Sequence, residues 1–171
     1  TDFAVARYHT DGSLDTAFSS DGLATYDLAG GTDVARSIII DTNGKYVLAG
    51  TAGSDFGMIR IETSGALDTS FSGDGIFTID FNTTTETGYD VTLQTDGKFV
   101  VVGQTVLDFG IVRVQPSGVL DTDFAYGGKL SIDIGGGTTD EARAVKIDSQ
   151  QRIVVIGIGG SVDFAAIRLL P

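Results

Sequence analysis

The chain has 171 residues, 23 acidic against 11 basic side chains and a formal net charge of -12, a balance that repels nucleic-acid phosphates and anionic lipid in the absence of a basic patch. Cysteine is absent, so the sequence offers no disulfide, thiol nucleophile or thiolate metal site and is silent on redox compartment. At 42% hydrophobic residues the chain reads as one folded domain rather than an acidic disordered segment, and no stretch resembles a membrane-spanning helix or a signal peptide.

Short apolar runs separated by glycine-bearing turns predict strands throughout. The first two cover residues 3–8 and 23–28; Thr10-Asp11-Gly12 turns the chain between them, and Leu14 and Phe18 are apolar pegs of the connecting loop. Four more follow at 36–41, 45–49, 56–61 and 76–81, with an Asn43-Gly44 turn between the first pair that favours an antiparallel hairpin. The next set copies it at 89–94, 98–102, 109–114 and 129–134 around Thr95-Asp96-Gly97. The last supplies 143–148, 152–156 and 164–169, and its turn, Ser149-Gln150-Gln151, lacks the glycine.

These sets are copies of one unit. Asp-Phe pairs stand at Asp2, Asp55, Asp108 and Asp163, about 53 residues apart, and each is followed by an arginine, at Arg7, Arg60, Arg113 and Arg168. The first three arginines lead into a Leu-Asp-Thr-x-Phe loop carrying Asp15, Asp68 and Asp121. Four strands per step predict an all-β fold, a β-propeller of four-stranded antiparallel blades of about 53 residues, with about three blades in the chain. The middle strands are apolar at consecutive positions, as in Val100-Val101-Val102, which implies neighbours on both faces. A β-solenoid or irregular sandwich is the rival, disfavoured by the hairpin turns. The predicted single repeat domain divides into a partial blade at 1–33, blades at 34–86 and 87–139, and a partial blade at 140–171. Unpaired edges at the partial blades imply neighbouring repeats, or self-association of two copies into a ring of about six blades.

Ser54-Asp55-Phe56, Arg60, the stretch from Ser64 to Phe71, Gly73-Asp74-Gly75, and Gln94-Thr95-Asp96-Gly97-Lys98 leading to Val100-Val101-Val102-Gly103 resemble the delta-60 repeat of large bacterial proteins. That resemblance implies a β-propeller-like module, often secreted or surface-located, and names no catalytic activity or ligand. The third unit departs from it at Gln150-Gln151-Arg152 and at Ala125-Tyr126-Gly127-Gly128, where the acid equivalent to Asp21 and Asp74 is missing.

An arginine inside an apolar strand needs a carboxylate. Arg7, Arg60, Arg113 and Arg168 are therefore expected to pair with Asp2, Asp55, Asp108 and Asp163, or with Asp15, Asp68 and Asp121. Their alternative is an anion site at a ring axis. Asp15 with Asp21, and Asp68 with Asp74, are the calcium candidates, although their spacing departs from the helix-loop calcium motif and each loop Asp also suits an Asx turn. His9 is the single histidine and reads as a surface residue; no Gly-x-Ser-x-Gly elbow is present, and Gly30-Gly31, Gly135-Gly136-Gly137 and Gly159-Gly160 read as turns. Paired carboxylates without tryptophan give little to a glycosidase cleft. The expectation is a noncatalytic structural or interaction module without a required cofactor. The competing class binds a protein, peptide, carbohydrate or calcium at the axis or on loops such as 104–107 and 158–162, and Asn82-Thr83-Thr84 has the form of a glycosylation acceptor.

Overall fold

The computed structural model of the chain describes residues 1–160 and 163–170. Strands β1 (Phe3–Ala6) and β2 (Leu23–Tyr26) form a two-stranded sheet. A four-stranded sheet follows, in the order β3 (Asp33–Ile40), β4 (Tyr46–Ala52), β5 (Asp55–Ile61) and β6 (Ile76–Ile79). The next has β7 (Thr87–Leu93), β8 (Phe99–Gln104), β9 (Phe109–Val114) and β10 (Lys129–Ile132), and the last has β11 (Glu141–Ile147), β12 (Ile153–Gly159) and β13 (Asp163–Leu169). Every pairing is antiparallel between strands consecutive in the chain. The fold is thus all-β and repetitive: two four-stranded antiparallel sheets lie in chain order between a two-stranded and a three-stranded one. Among the described residues no strand pair joins one sheet to another, and this holds for the first and last sheets as for successive ones.

Hydrophobic cores fill the spaces between successive sheets. Phe3 and Phe18 pack with Leu48, Ile59 and Ile61; Val47, Phe56 and Phe71 pack with Val91, Phe99 and Val101; Val100, Phe109 and Ile111 pack with Val145, Ile153 and Val155. Adjacent residues of β8 therefore enter different cores, Val101 one and Val100 and Val102 the other. This is the physical reason that the middle strands carry no polar alternation: both faces are covered.

The inner strands begin before their predicted starts, at Asp33, Thr87 and Glu141. A β-bulge interrupts each: register shifts between Ala35 and Ser37, between Gly88 and Asp90, and between Ala142 and Ala144. The extra residue, Arg36, Tyr89 or Arg143, breaks the two-residue alternation on which a sequence reading depends. Opposite the bulges lie Gly50, Gly103 and Gly157, and a Cβ there would collide with the carbonyl oxygens of Val34, Thr87 and Glu141. The turn lacking glycine keeps its shape, since Gln151 adopts φ +62° where Gly44 and Gly97 have +80° and +84°. Its side-chain oxygen accepts from the Thr95 hydroxyl at 2.7 Å, tying that turn to the preceding sheet.

Candidate functional site

The repeated arginines and the Leu-Asp-Thr-x-Phe loops form one contact three times. Arg7, Arg60 and Arg113 donate through Nε to Oδ2 of Asp15, Asp68 and Asp121 at 2.8, 2.5 and 2.6 Å. Each guanidinium also lies over the loop phenylalanine, Phe18, Phe71 or Phe124, 4.8–5.0 Å from the ring centroid. Lysines immediately before the second strand join the carboxylates: Lys45 Nζ is 2.8 Å from Asp68 and Lys98 Nζ is 3.1 Å from Asp121. Asp68 is 4% exposed and Arg60 6%. Burial works against ionisation of Asp68, but hydrogen bonds from Lys45, Ser70 and Arg60 outweigh it and hold its carboxyl well below the usual range. Asp121 is lowered in the same way, against burial, by Lys98 and Arg113.

The same device ties one sheet to the next. Arg60 Nη1 donates to the Pro116 carbonyl at 2.8 Å, and Arg7 Nη1 donates to that of Thr63. Backbone bonds run alongside, from Ser19 N to Ser64 O and from Ser72 N to Ser117 O, each 2.8 Å. Gly65 packs on Phe18 and Gly118 on Phe71, which accounts for the Ser-Gly turn before the second and third loops. Arg7 and Arg60 thus each combine an ion pair with a contact to the next sheet, and Arg113 makes the ion pair. The residue equivalent to Thr63 and Pro116 in the last unit, Pro171, lies outside the described residues.

Of the two acidic sets offered to the arginines, Asp15, Asp68 and Asp121 make the pairs. Asp2, Asp55 and Asp108 do not, and among the described residues neither Arg168 nor Asp163 makes an ion pair. The calcium candidates are engaged with protein: Asp15 and Asp68 grip the arginines, while Asp21 and Asp74 each accept a backbone N–H, of Leu23 and Ile76, at 2.9 Å. In the third unit that position is Gly127, at φ +72°. His9 is exposed, with Nε2 3.6 Å from Asp15. Loop 104–107 is organised by Thr105, whose N–H donates to the Asp108 carbonyl at 2.9 Å. In the second candidate loop Ile158 and Gly159 belong to β12, while Ser161 and Val162 lie outside the described residues.

Sequence reasoning missed a second repeated constellation. Asp2, Asp27 and Asp33 gather at one end of the sheets, as do Asp55, Asp80 and Glu86, and Asp108, Asp133 and Asp140, each group offering oxygens within 4.8 Å of one another. The three residues come from the start of the third strand, the end of the fourth and the beginning of the next sheet. Asp33 and Asp140 are buried and bridge backbone donors: Asp33 accepts from Leu28 and Gly53, Asp140 from Ile134 and Gly160. The recurrence of Asp27, Asp80 and Asp133 was the available signal. Also missed were Arg36, Tyr89 and Arg143, the bulged residues of adjoining inner strands; Arg36 and Arg143 lie 5.4 and 4.3 Å from the Tyr89 ring centroid. Tyr89 is thus flanked by two guanidinium groups, a feature set apart from the Arg-Asp-Phe contacts.

A family described as a domain of unknown function (DUF5122) beta-propeller matches residues 1–18, 42–71 and 94–124. The matched stretches carry the Arg-Asp-Phe contact of each unit, and they support a general propeller-type repeat family for the chain. No curated protein matches the sequence.

Proposed function

We propose that the chain is a noncatalytic β-propeller module that assembles with further blades through its two open ends. The observation that carries this reading is one repeat position, present four times, in two environments. Phe3, Phe56 and Phe109 are at most 1% exposed, each beneath the following sheet, whereas Phe164 is 78% exposed. The outer face of the last sheet also exposes Ile156 and Leu170, and at the other end Ile38 and Ile40 stand open beside a cavity of about 300 Å³ between β1 and β3. Apolar surface of this kind favours a partner.

Both β1 and β13 are third strands of the repeat. Strand β2 can therefore pair with its own β1 or with the β13 edge of a second copy, and two such junctions generate a ring of about six blades. The resemblance to the delta-60 repeat supports a setting within larger, secreted or surface-located bacterial proteins. A second reading, a ligand-binding module, draws on the acidic groups at the sheet ends. The test is sedimentation velocity of Phe164→Lys beside the unaltered chain. Loss of association with an unchanged melting temperature supports assembly through this face; equal association of both proteins contradicts it.

A further inference from the structure

The three acidic groups differ in one respect. Each of the buried carboxylates Asp33 and Asp140 has both oxygens occupied by backbone N–H donors. Glu86, at the equivalent place, is 2% exposed, and its Oε1 accepts from Phe81 N at 2.9 Å, Thr83 N at 3.2 Å and Thr83 Oγ1 at 2.7 Å. Its Oε2 is buried with no hydrogen-bond partner. A buried carboxylate oxygen without a donor carries a large desolvation cost, and the Glu86 carboxylate belongs to the group that holds Asp55 and Asp80.

Among the described residues nothing cationic neutralises that group. Among the described residues no lysine or arginine makes an ion pair with Asp55, Asp80 or Glu86. The neighbouring Lys129 donates to the Asp80 backbone carbonyl at 2.7 Å and lies over the Phe81 ring. A carboxylate buried beside two further acids, with no lysine or arginine paired to any of them among the described residues, is a place for a cation. Three hard oxygen donors with no nitrogen or sulfur ligand suit calcium rather than zinc, and the partial exposure of Asp55 and the open position of Asp80 leave room for water to complete a coordination shell.

We propose that Asp55, Asp80 and Glu86 form a calcium site, with Glu86 Oε2 as its buried ligand and the two aspartates closing it from the solvent side. The site stands independently of assembly through the open ends. It is placed on the one group of three whose buried acid is left with an unsatisfied oxygen.

The test is calorimetric titration of the whole, chelator-stripped chain with calcium chloride in about 0.1 M potassium chloride, which screens diffuse attraction. The expected result is one calcium per chain with a dissociation constant of about 10⁻⁴–10⁻³ M, the range of open, water-completed sites, and magnesium at least about tenfold weaker. Glu86→Gln should weaken calcium at least about tenfold, whereas Asp108→Asn, in a sister group, should leave the isotherm unchanged. Thermal unfolding guards against a misfolded variant: in chelator Glu86→Gln should melt no lower than the unaltered chain, and calcium should raise the melting temperature of the unaltered chain only. Absence of saturable binding up to about 5 mM calcium, equal binding of magnesium, or an isotherm indifferent to Glu86→Gln would overturn the site.

Discussion

Arg60 meets four different needs with one guanidinium: the charge of Asp68, the Ser70 hydroxyl, the Phe71 ring and the Pro116 carbonyl of the next sheet. Its removal leaves Asp68 buried with Lys45 as its only remaining ion-pair partner. Arg60→Met should therefore lower unfolding stability by about 3 kcal/mol in chemical denaturation, the scale for breaking a buried pair from one side. Arg60→Lys should recover part of that loss, because the charge returns without the planar fork that reaches Pro116. The acid side follows from the direction of the shifts. Asp68 and Asp121 are depressed in the folded chain, so their stabilisation is present above the ordinary carboxylate range and is lost as pH falls below about 4. Asp68→Asn should make that acid loss shallower. Glu86 has the opposite sign: raised in the fold, it favours the folded state below about pH 4 and loses that contribution as pH rises through its elevated value. Stability of Glu86→Gln in chelator should accordingly depend less on pH on the side above that range, measured by denaturant titration at successive pH values.

At the level of strands, all thirteen were legible in the sequence because turn residues bracket each apolar run. Strands β5 and β9 match their predicted spans closely, and β9 does so at both ends. The inner strands were misplaced at their starts because the bulged residues Arg36, Tyr89 and Arg143 interrupt the alternation. The Arg-Asp pairing was legible as a need, since a strand that is otherwise apolar cannot bury a lone guanidinium, but the choice between two acidic sets was not: both recur at the same spacing. The Asp55, Asp80 and Glu86 group was only faintly legible, through the recurrence of Asp27, Asp80 and Asp133, because its members come from three separate strand ends and look singly like turn formers. The bulges also explain a repeated small residue. Gly103→Ala forces a methyl into the Thr87 carbonyl oxygen and the Phe56 ring, and should cost about 2–3 kcal/mol in thermal or denaturant unfolding. An Ala variant as stable as the unaltered chain would show that β7 can move away from β8.

Across the whole molecule, successive sheets are joined by Arg-Asp-Phe contacts on one side and by backbone bonds to the buried acids on the other, as in Glu86 N to Ser54 O and Asp140 N to Leu107 O at 2.7 and 2.6 Å. Both fastenings are present at the first two junctions and fix how one sheet follows the next there, and the same apolar face that is covered at Phe3, Phe56 and Phe109 is presented at Phe164. Assembly through the open ends is the central claim of the functional reading. Its most direct measurement is the absolute solution mass of the chain by light scattering over a concentration series. The account predicts a mass approaching twice 17.8 kDa as concentration rises. A mass that stays at 17.8 kDa throughout the series would contradict it.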